Sequence, residues 1–166
     1  MAATVQLSLE QAHDLALRAL LAHGFSNAQG RAVADTMIAA ERDLCTSHGL
    51  FRLPFYVKSL TNPKVDPKAV PELSDLAPAI LRVDAKFGFA PLALQMSAAP
   101  LIEKARSNGI AALAINNTVH IAALWPEVER IAEQGLVAFA FTVAMPYVAP
   151  AGGSKALYGT NPMAFA

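Results

Sequence analysis

The sequence has 166 residues, 54% of them hydrophobic and 16% charged, and its 13 basic side chains balance its 13 acidic ones. That is enough chain for one sizeable core, and the cancelled charge leaves no basic field to draw in nucleic acid or an anionic bilayer, so a small molecule or a protein surface is the expected partner. No apolar run approaches the roughly 20 residues that cross a bilayer, Met1 to Gln6 lacks the basic-then-apolar order of a secretory signal, and the single cysteine, Cys45, permits no internal disulfide and fits a reducing cytoplasm.

Ser8-Leu9-Glu10-Gln11 has the form of a capping box and predicts a helix to about His23, with Ala12, Leu15, Ala16, Ala19 and Leu20 on one face and Gly24 ending it. Ser26 opens a second helix in the same way, with Val33, Met37, Ala40 and Leu44 as its apolar stripe. Together they form a hairpin that delivers Ser47 and His48. A third helix is expected from Leu50 to about Leu60, with Pro54 tolerated in its first turn. Residues 1–62 thus read as a helical cap, and residues 63–78, broken by Pro63, Pro67, Pro71 and Pro78, as an extended connector.

Residues 79–166 read as an α/β region. A short strand at Ala79–Asp84 leads into a helix from about Pro91 to Asn108, kinked at Pro100 and closed by Gly109. Ile110–Ile115 and Leu136–Val143 have the unbroken apolar character of strands buried on both faces. Between them the turn Asn116-Asn117-Thr118 is expected to start a helix running to Gln134, whose N-terminal amides would suit a phosphate or merely receive Asn and Thr as caps. The closing Met163-Ala164-Phe165-Ala166 looks like a strand entered from a turn. A bare apolar tail of this kind predicts the N-terminal part of a longer protein, and the apolar fraction as a whole predicts surface that another subunit or further sequence covers.

The richest chemistry lies in Thr46-Ser47-His48-Gly49-Leu50-Phe51-Arg52. If a helix begins near Gly49, Arg52 falls one turn beyond His48 and both side chains reach one cleft. His48 can then work as general acid or base while Arg52 grips a carboxylate with its planar fork. Spacing alone leaves an ordinary surface helix start as the alternative. Cys45 reads as core and not as a nucleophile. Adjacent Ser47 and His48 seldom aim at each other, and with no Gly-x-Ser-x-Gly elbow a hydrolase has little support. Gly-x-Gly-x-x-Gly and Gly-x-x-x-x-Gly-Lys are also missing, which argues against Rossmann and P-loop sites. Four histidines with no His/Cys/Asp/Glu cluster predict no metal site. Trp125 beside Pro126 reads as packing at a helix start.

The run Asp43-Leu44-Cys45-Thr46-Ser47-His48-Gly49-Leu50-Phe51-Arg52 with Tyr56 resembles the signature of the malate/L-lactate dehydrogenase family that lacks a Rossmann fold. Later blocks agree in order: Val83-Asp84 with Gly88, Gly109-Ile110, His120, Ala132 to Val137, Ala149-Pro150, and Gly159 to Phe165. The stretch His120 to Glu129 is most similar to the branch that reduces the cyclic imino acids Δ1-piperideine-2-carboxylate and Δ1-pyrroline-2-carboxylate. The resemblance implies an α/β protein with a helical cap and a mixed-sheet, non-Rossmann NADP-binding region, truncated here to the first half. It implies His48 as proton donor with Ser47 in a relay beside it, Arg52 and Thr160 on the substrate, and His120, Ile121, Ala122, Ala123 and Leu124 in the cofactor site. It also implies NADPH, with NADH possible, and a homodimer. A 2-oxo-acid dehydrogenase acting on malate or lactate, and a non-catalytic remnant, are the competing expectations.

Overall fold

In the computed structural model, which describes residues 5–166, the N-terminal helix begins as its capping box requires. The Ser8 hydroxyl accepts the Gln11 N–H at 3.1 Å and the Gln11 side chain accepts the Ser8 N–H at 2.9 Å. Helix α1 spans Leu9–Ala22, and α2, capped by Ser26, spans Asn27–Arg42. Met1 to Thr4, part of the N-terminal segment weighed above, lie outside the described residues.

Ala16 and Leu20 of α1 and Val33, Ala34 and Met37 of α2 are buried together with Phe25, Tyr56 and Phe89. Phe89 stacks on Phe25 at 4.9 Å between centroids and meets Tyr56 at 5.3 Å. Ring pairs at these separations add to the burial of apolar area. Gly30 lets α2 approach α1, since a Cβ there would sit 3.3 Å from a Leu17 methyl. Leu44 is not part of the stripe: it is 87% exposed with φ +57°, because α2 has already ended at Arg42.

After α2 the chain makes two 3-10 turns, Thr46–His48 and Leu50–Arg52, before α3 at Leu53–Ser59. Pro54 occupies the first turn of α3, where its missing N–H costs little. The proline-rich stretch is not wholly a connector. Strand β1, Glu72–Ala77, lies within it and pairs antiparallel with β2, Ile80–Asp84, through a turn containing Pro78. The prolines precede and follow β1, so its ladder hydrogen bonds survive.

Helix α4, Ala90–Asn108, runs through Pro100 and ends at Gly109 in the left-handed conformation, φ +78°. It leads to β3, Ala112–Asn116, parallel to β2, which gives the sheet order β1-β2-β3. Along β3 exposed Ala112 and Ala114 alternate with half-buried Leu113 and Ile115, so only one face of the strand is covered and it is not the doubly buried strand that its apolar run predicts. The expected helix does not start at Thr118. Asn117 has φ +49°, and Val119 pairs with Phe89 as a short parallel bridge, so α5 begins only at Trp125 and spans Trp125–Ala132.

The described residues up to 123 and residues 124–166 form two compact units. In the second, α5 packs with an antiparallel pair, β4 at Phe139–Phe141 and β5 at Met163–Phe165. The closing segment is a strand, as its sequence predicts. The Leu136–Val143 run yields only three strand residues, and Phe139 and Phe141 are exposed at 58% and 71% where burial was expected.

Candidate functional site

The turn between α2 and α3 carries Ser47, His48 and Arg52, and its shape comes from local backbone bonds. Cys45 N–H donates to the Ala40 carbonyl, His48 N–H to Cys45, Gly49 N–H to Thr46 and Arg52 N–H to Gly49, at 2.8 to 3.2 Å. Two successive 3-10 turns bring residue 52 back beside residue 48.

His48 is half-buried and in contact on both ring nitrogens. Nδ1 is 3.1 Å from the Ser47 hydroxyl and 3.8 Å from the Cys45 thiol. Nε2 is 3.4 Å from Nη2 of Arg52. Arginine has donors and no acceptor, so this contact is compatible with a neutral imidazole whose Nε2 accepts and whose Nδ1–H points to Ser47. Arg52 is itself pinned, its Nε–H donating to the Ser47 carbonyl at 2.7 Å and its guanidinium lying 5.5 Å from the centre of the Phe55 ring.

Burial holds the His48 pKa below the ordinary 6.5, and the Arg52 guanidinium and His120 lower it further. Taking the ring out of water penalises its charged form, and a neighbouring cation does the same. This set of groups can hold a neutral imidazole ready to take a proton once an anion has compensated Arg52.

The other residues singled out in the sequence are distributed as follows. His120 lies close enough to His48 to act on its titration. His120, Ile121 and Ala122 are half-buried, Ala123 and Leu124 are buried, and the whole segment is irregular backbone preceding α5. The turn at 116–118 is therefore not a helix N-terminus: Asn117 donates to Asp84 at 3.1 Å and the Thr118 hydroxyl to the Gly88 carbonyl at 3.3 Å. Thr160 belongs to the second unit and is exposed. Cys45 is only half-buried, against the expectation that it sits in the core. Among the described residues no group of three or more His, Cys, Asp or Glu side chains could hold a metal ion, and no helix is long and apolar enough to cross a membrane.

Two residues support this region in roles that sequence patterning did not assign them: Glu41, and Gln29, whose place in Ser26-Asn27-Ala28-Gln29 predicts a second capping box but whose side chain turns elsewhere. Glu41, in the last turn of α2, accepts the Leu50 N–H at 2.7 Å. Gln29, fully buried, donates to the Ala69 carbonyl at 2.9 Å and accepts the Phe89 N–H at 3.2 Å. Contacts made across 9, 40 and 60 residues leave no periodic signal; a glycine directly after His48 and another directly before Phe89 are the only local hints.

The chain has counterparts among known proteins in sequence and fold. Over 161 residues the chain is 51% identical to Delta(1)-pyrroline-2-carboxylate/Delta(1)-piperideine-2-carboxylate reductase of Pseudomonas aeruginosa, a match covering 97% of this chain and 48% of that protein. It is 48% identical to Delta(1)-pyrroline-2-carboxylate reductase 2 of Burkholderia multivorans, over 98% of this chain and 48% of the relative. The crystal structure of delta1-piperideine-2-carboxylate reductase from Pseudomonas syringae pvar. tomato superposes with a TM-score of 0.91 at 47% identity, covering 98% of this chain and 49% of that one. Malate dehydrogenase from Pyrococcus horikoshii superposes at 0.87 with 25% identity, covering 97% and 46%. The chain thus spans about half the length of the relatives it matches. The model of the malate/L-lactate dehydrogenase family matches residues 7–166. With the mixed α/β fold and its Ser-His-Gly turn also in place, the chain belongs to the malate/L-lactate dehydrogenase family.

Proposed function

We propose that this chain carries the acid and carboxylate-binding part of an NADPH-dependent reductase of cyclic imino acids, converting Δ1-piperideine-2-carboxylate to L-pipecolate and Δ1-pyrroline-2-carboxylate to L-proline. The observation that carries this reading is the position of His48 between Ser47 and Arg52. Arg52 takes the substrate carboxylate and so orients the ring. Once that carboxylate offsets the guanidinium charge, His48 holds a proton more readily and supplies or maintains the proton on the imine nitrogen. Ser47 fixes the imidazole through Nδ1. Thr160 is the second substrate contact.

The segment His120 to Leu124 is the proposed cofactor contact. Its donor set fits a pyridine nucleotide: one imidazole, backbone outside helix and strand, and two alanines small enough to allow close approach. When bound, the reduced nicotinamide supplies the hydride that the C=N carbon accepts. NADPH is proposed over NADH on the resemblance of the stretch His120 to Glu129 to the imino-acid-reducing branch. A cytoplasmic homodimer completes the reading, supported by large apolar side chains such as Phe139, Phe141, Met163 and Phe165 that stand exposed and that further polypeptide would cover.

The test is NADPH fluorescence titration of the 166-residue chain, followed by addition of Δ1-piperideine-2-carboxylate. Saturable binding and cofactor oxidation, lost in His48→Ala, are expected. A folded chain that neither binds nor turns over rules out activity in this half alone. The likeness to malate dehydrogenases favours a second reading, in which the same His48 and Arg52 serve the C=O of a 2-oxo acid. A substrate panel separates the two, since only the first reading includes reduction of the cyclic imine.

A further inference from the structure

We propose that Glu41 is the positioning residue of this site, setting where Arg52 and His48 stand by clamping the peptide between them; this rests on the function proposed above. The turn's backbone bonds fix its internal shape, but most of them link residues within the turn itself. Glu41 reaches from α2 across nine residues and accepts the N–H of Leu50 at 2.7 Å. Leu50 begins the 3-10 turn that ends at Arg52, and Gly49 before it has no side chain with which to cap that turn. Glu41 does the capping from a distance, with a charge-assisted bond.

Gly49 is the other half of the clamp. It is buried, and a Cβ on it would collide with the Glu41 carboxyl group. The carboxylate therefore lies over the residue that separates His48 from Leu50. The printed contact of Glu41 is with the backbone, its carboxylate accepting the Leu50 N–H, so in this proposal it works through the placement of that backbone. An uncharged acceptor of the same length should do the same work.

The experiment compares Glu41→Ala, Glu41→Gln, Gly49→Ala and the Glu41→Ala/Gly49→Ala double variant in the full 166-residue chain. The Arg52 Nε–H, donated to the Ser47 carbonyl, is followed by 15N NMR, and KM and kcat are measured with Δ1-piperideine-2-carboxylate and NADPH. We expect the Nε–H resonance to be retained in the unmodified chain and Glu41→Gln and averaged with solvent in Glu41→Ala and Gly49→Ala. KM should rise about tenfold in the latter two, more than kcat falls, and the double variant should be no worse than the worse single one. The proposal is overturned if Glu41→Ala leaves the resonance and KM unchanged, if Glu41→Gln is as damaging as Glu41→Ala, or if the two alanine effects add. Should the unmodified chain fail to oxidise NADPH while the resonance responds as expected, activity of this half alone fails and the positioning role stands.

Discussion

Ser47 Oγ stands 3.1 Å from Nδ1 of His48, although the two residues are neighbours in the chain. Adjacent side chains usually diverge. Here the 3-10 turn over Thr46–His48 folds the backbone tightly enough for the serine hydroxyl to meet its neighbour's ring, while Arg52 covers the opposite ring nitrogen. The imidazole is thereby oriented from both sides.

The first prediction concerns proton affinity. Replacing Arg52 with Met removes one of the causes that depress the His48 pKa, so the value should rise toward 6.5 while burial keeps it from arriving there. In the unmodified chain, adding L-proline should move it the same way, because the ligand carboxylate offsets the guanidinium charge. Titration of the His48 Hε1 resonance checks both, and no movement on either change would contradict the proposed role of Arg52.

The same depression has a consequence for stability. As pH falls below 6.5 the unfolded chain takes up the His48 proton before the folded one does, so His48 erodes stability from there down to its folded pKa, beneath which the loss levels off. Urea unfolding between neutral and mildly acidic pH should show this loss. It should shrink in His48→Gln, which cannot titrate.

Gln29 ties α2 to both the connector and the start of α4. Gln29→Leu would leave the Phe89 N–H and the Ala69 carbonyl without this partner in a buried place. The expected loss is about 2–5 kcal/mol in urea unfolding, whereas a loss below about 0.5 kcal/mol would show that neither bond matters to the fold.

Ser8→Ala removes the acceptor for the Gln11 N–H at the start of α1. The cost should be about 1 kcal/mol, read as a lowered unfolding midpoint with an unchanged denaturant slope.

Cys45 lies near the His48 ring but has no assigned chemistry in the proposed reaction. Cys45→Ser should keep kcat within about threefold of the unmodified chain. Loss of activity in that variant alone, with Ser47→Ala active, would instead favour thiol chemistry.

Much of the architecture could be read from local pattern. The capping box at Ser8, the Ser26 cap, the alternation of Ala16, Leu20, Val33 and Met37 faces, and the left-handed glycine at 109 each act within a few residues, so the sequence displays them directly. The ordered Ser47-His48-Gly49-Arg52 motif likewise pointed to the family. What failed depended on neighbours distant in the chain. Strand β1 was hidden among prolines because its partner, β2, supplies the order. The helix expected at Thr118 was pre-empted by pairing of Val119 with Phe89, and the apolar runs at Ile110 and Leu136 proved to be edge or short strands because burial depends on what lies alongside.

By itself the sequence determined which segments can be helix, which residues are candidates for acid, base and anion-binding chemistry, and the family to which the chain belongs, because propensity, capping and motif order are local properties. Only the tertiary structure decided that Glu41 reaches Leu50 and that Gln29 joins Ala69 to Phe89. Those contacts are fixed by where separate elements meet in space, and nothing in the spacing of residues along the chain encodes that distance.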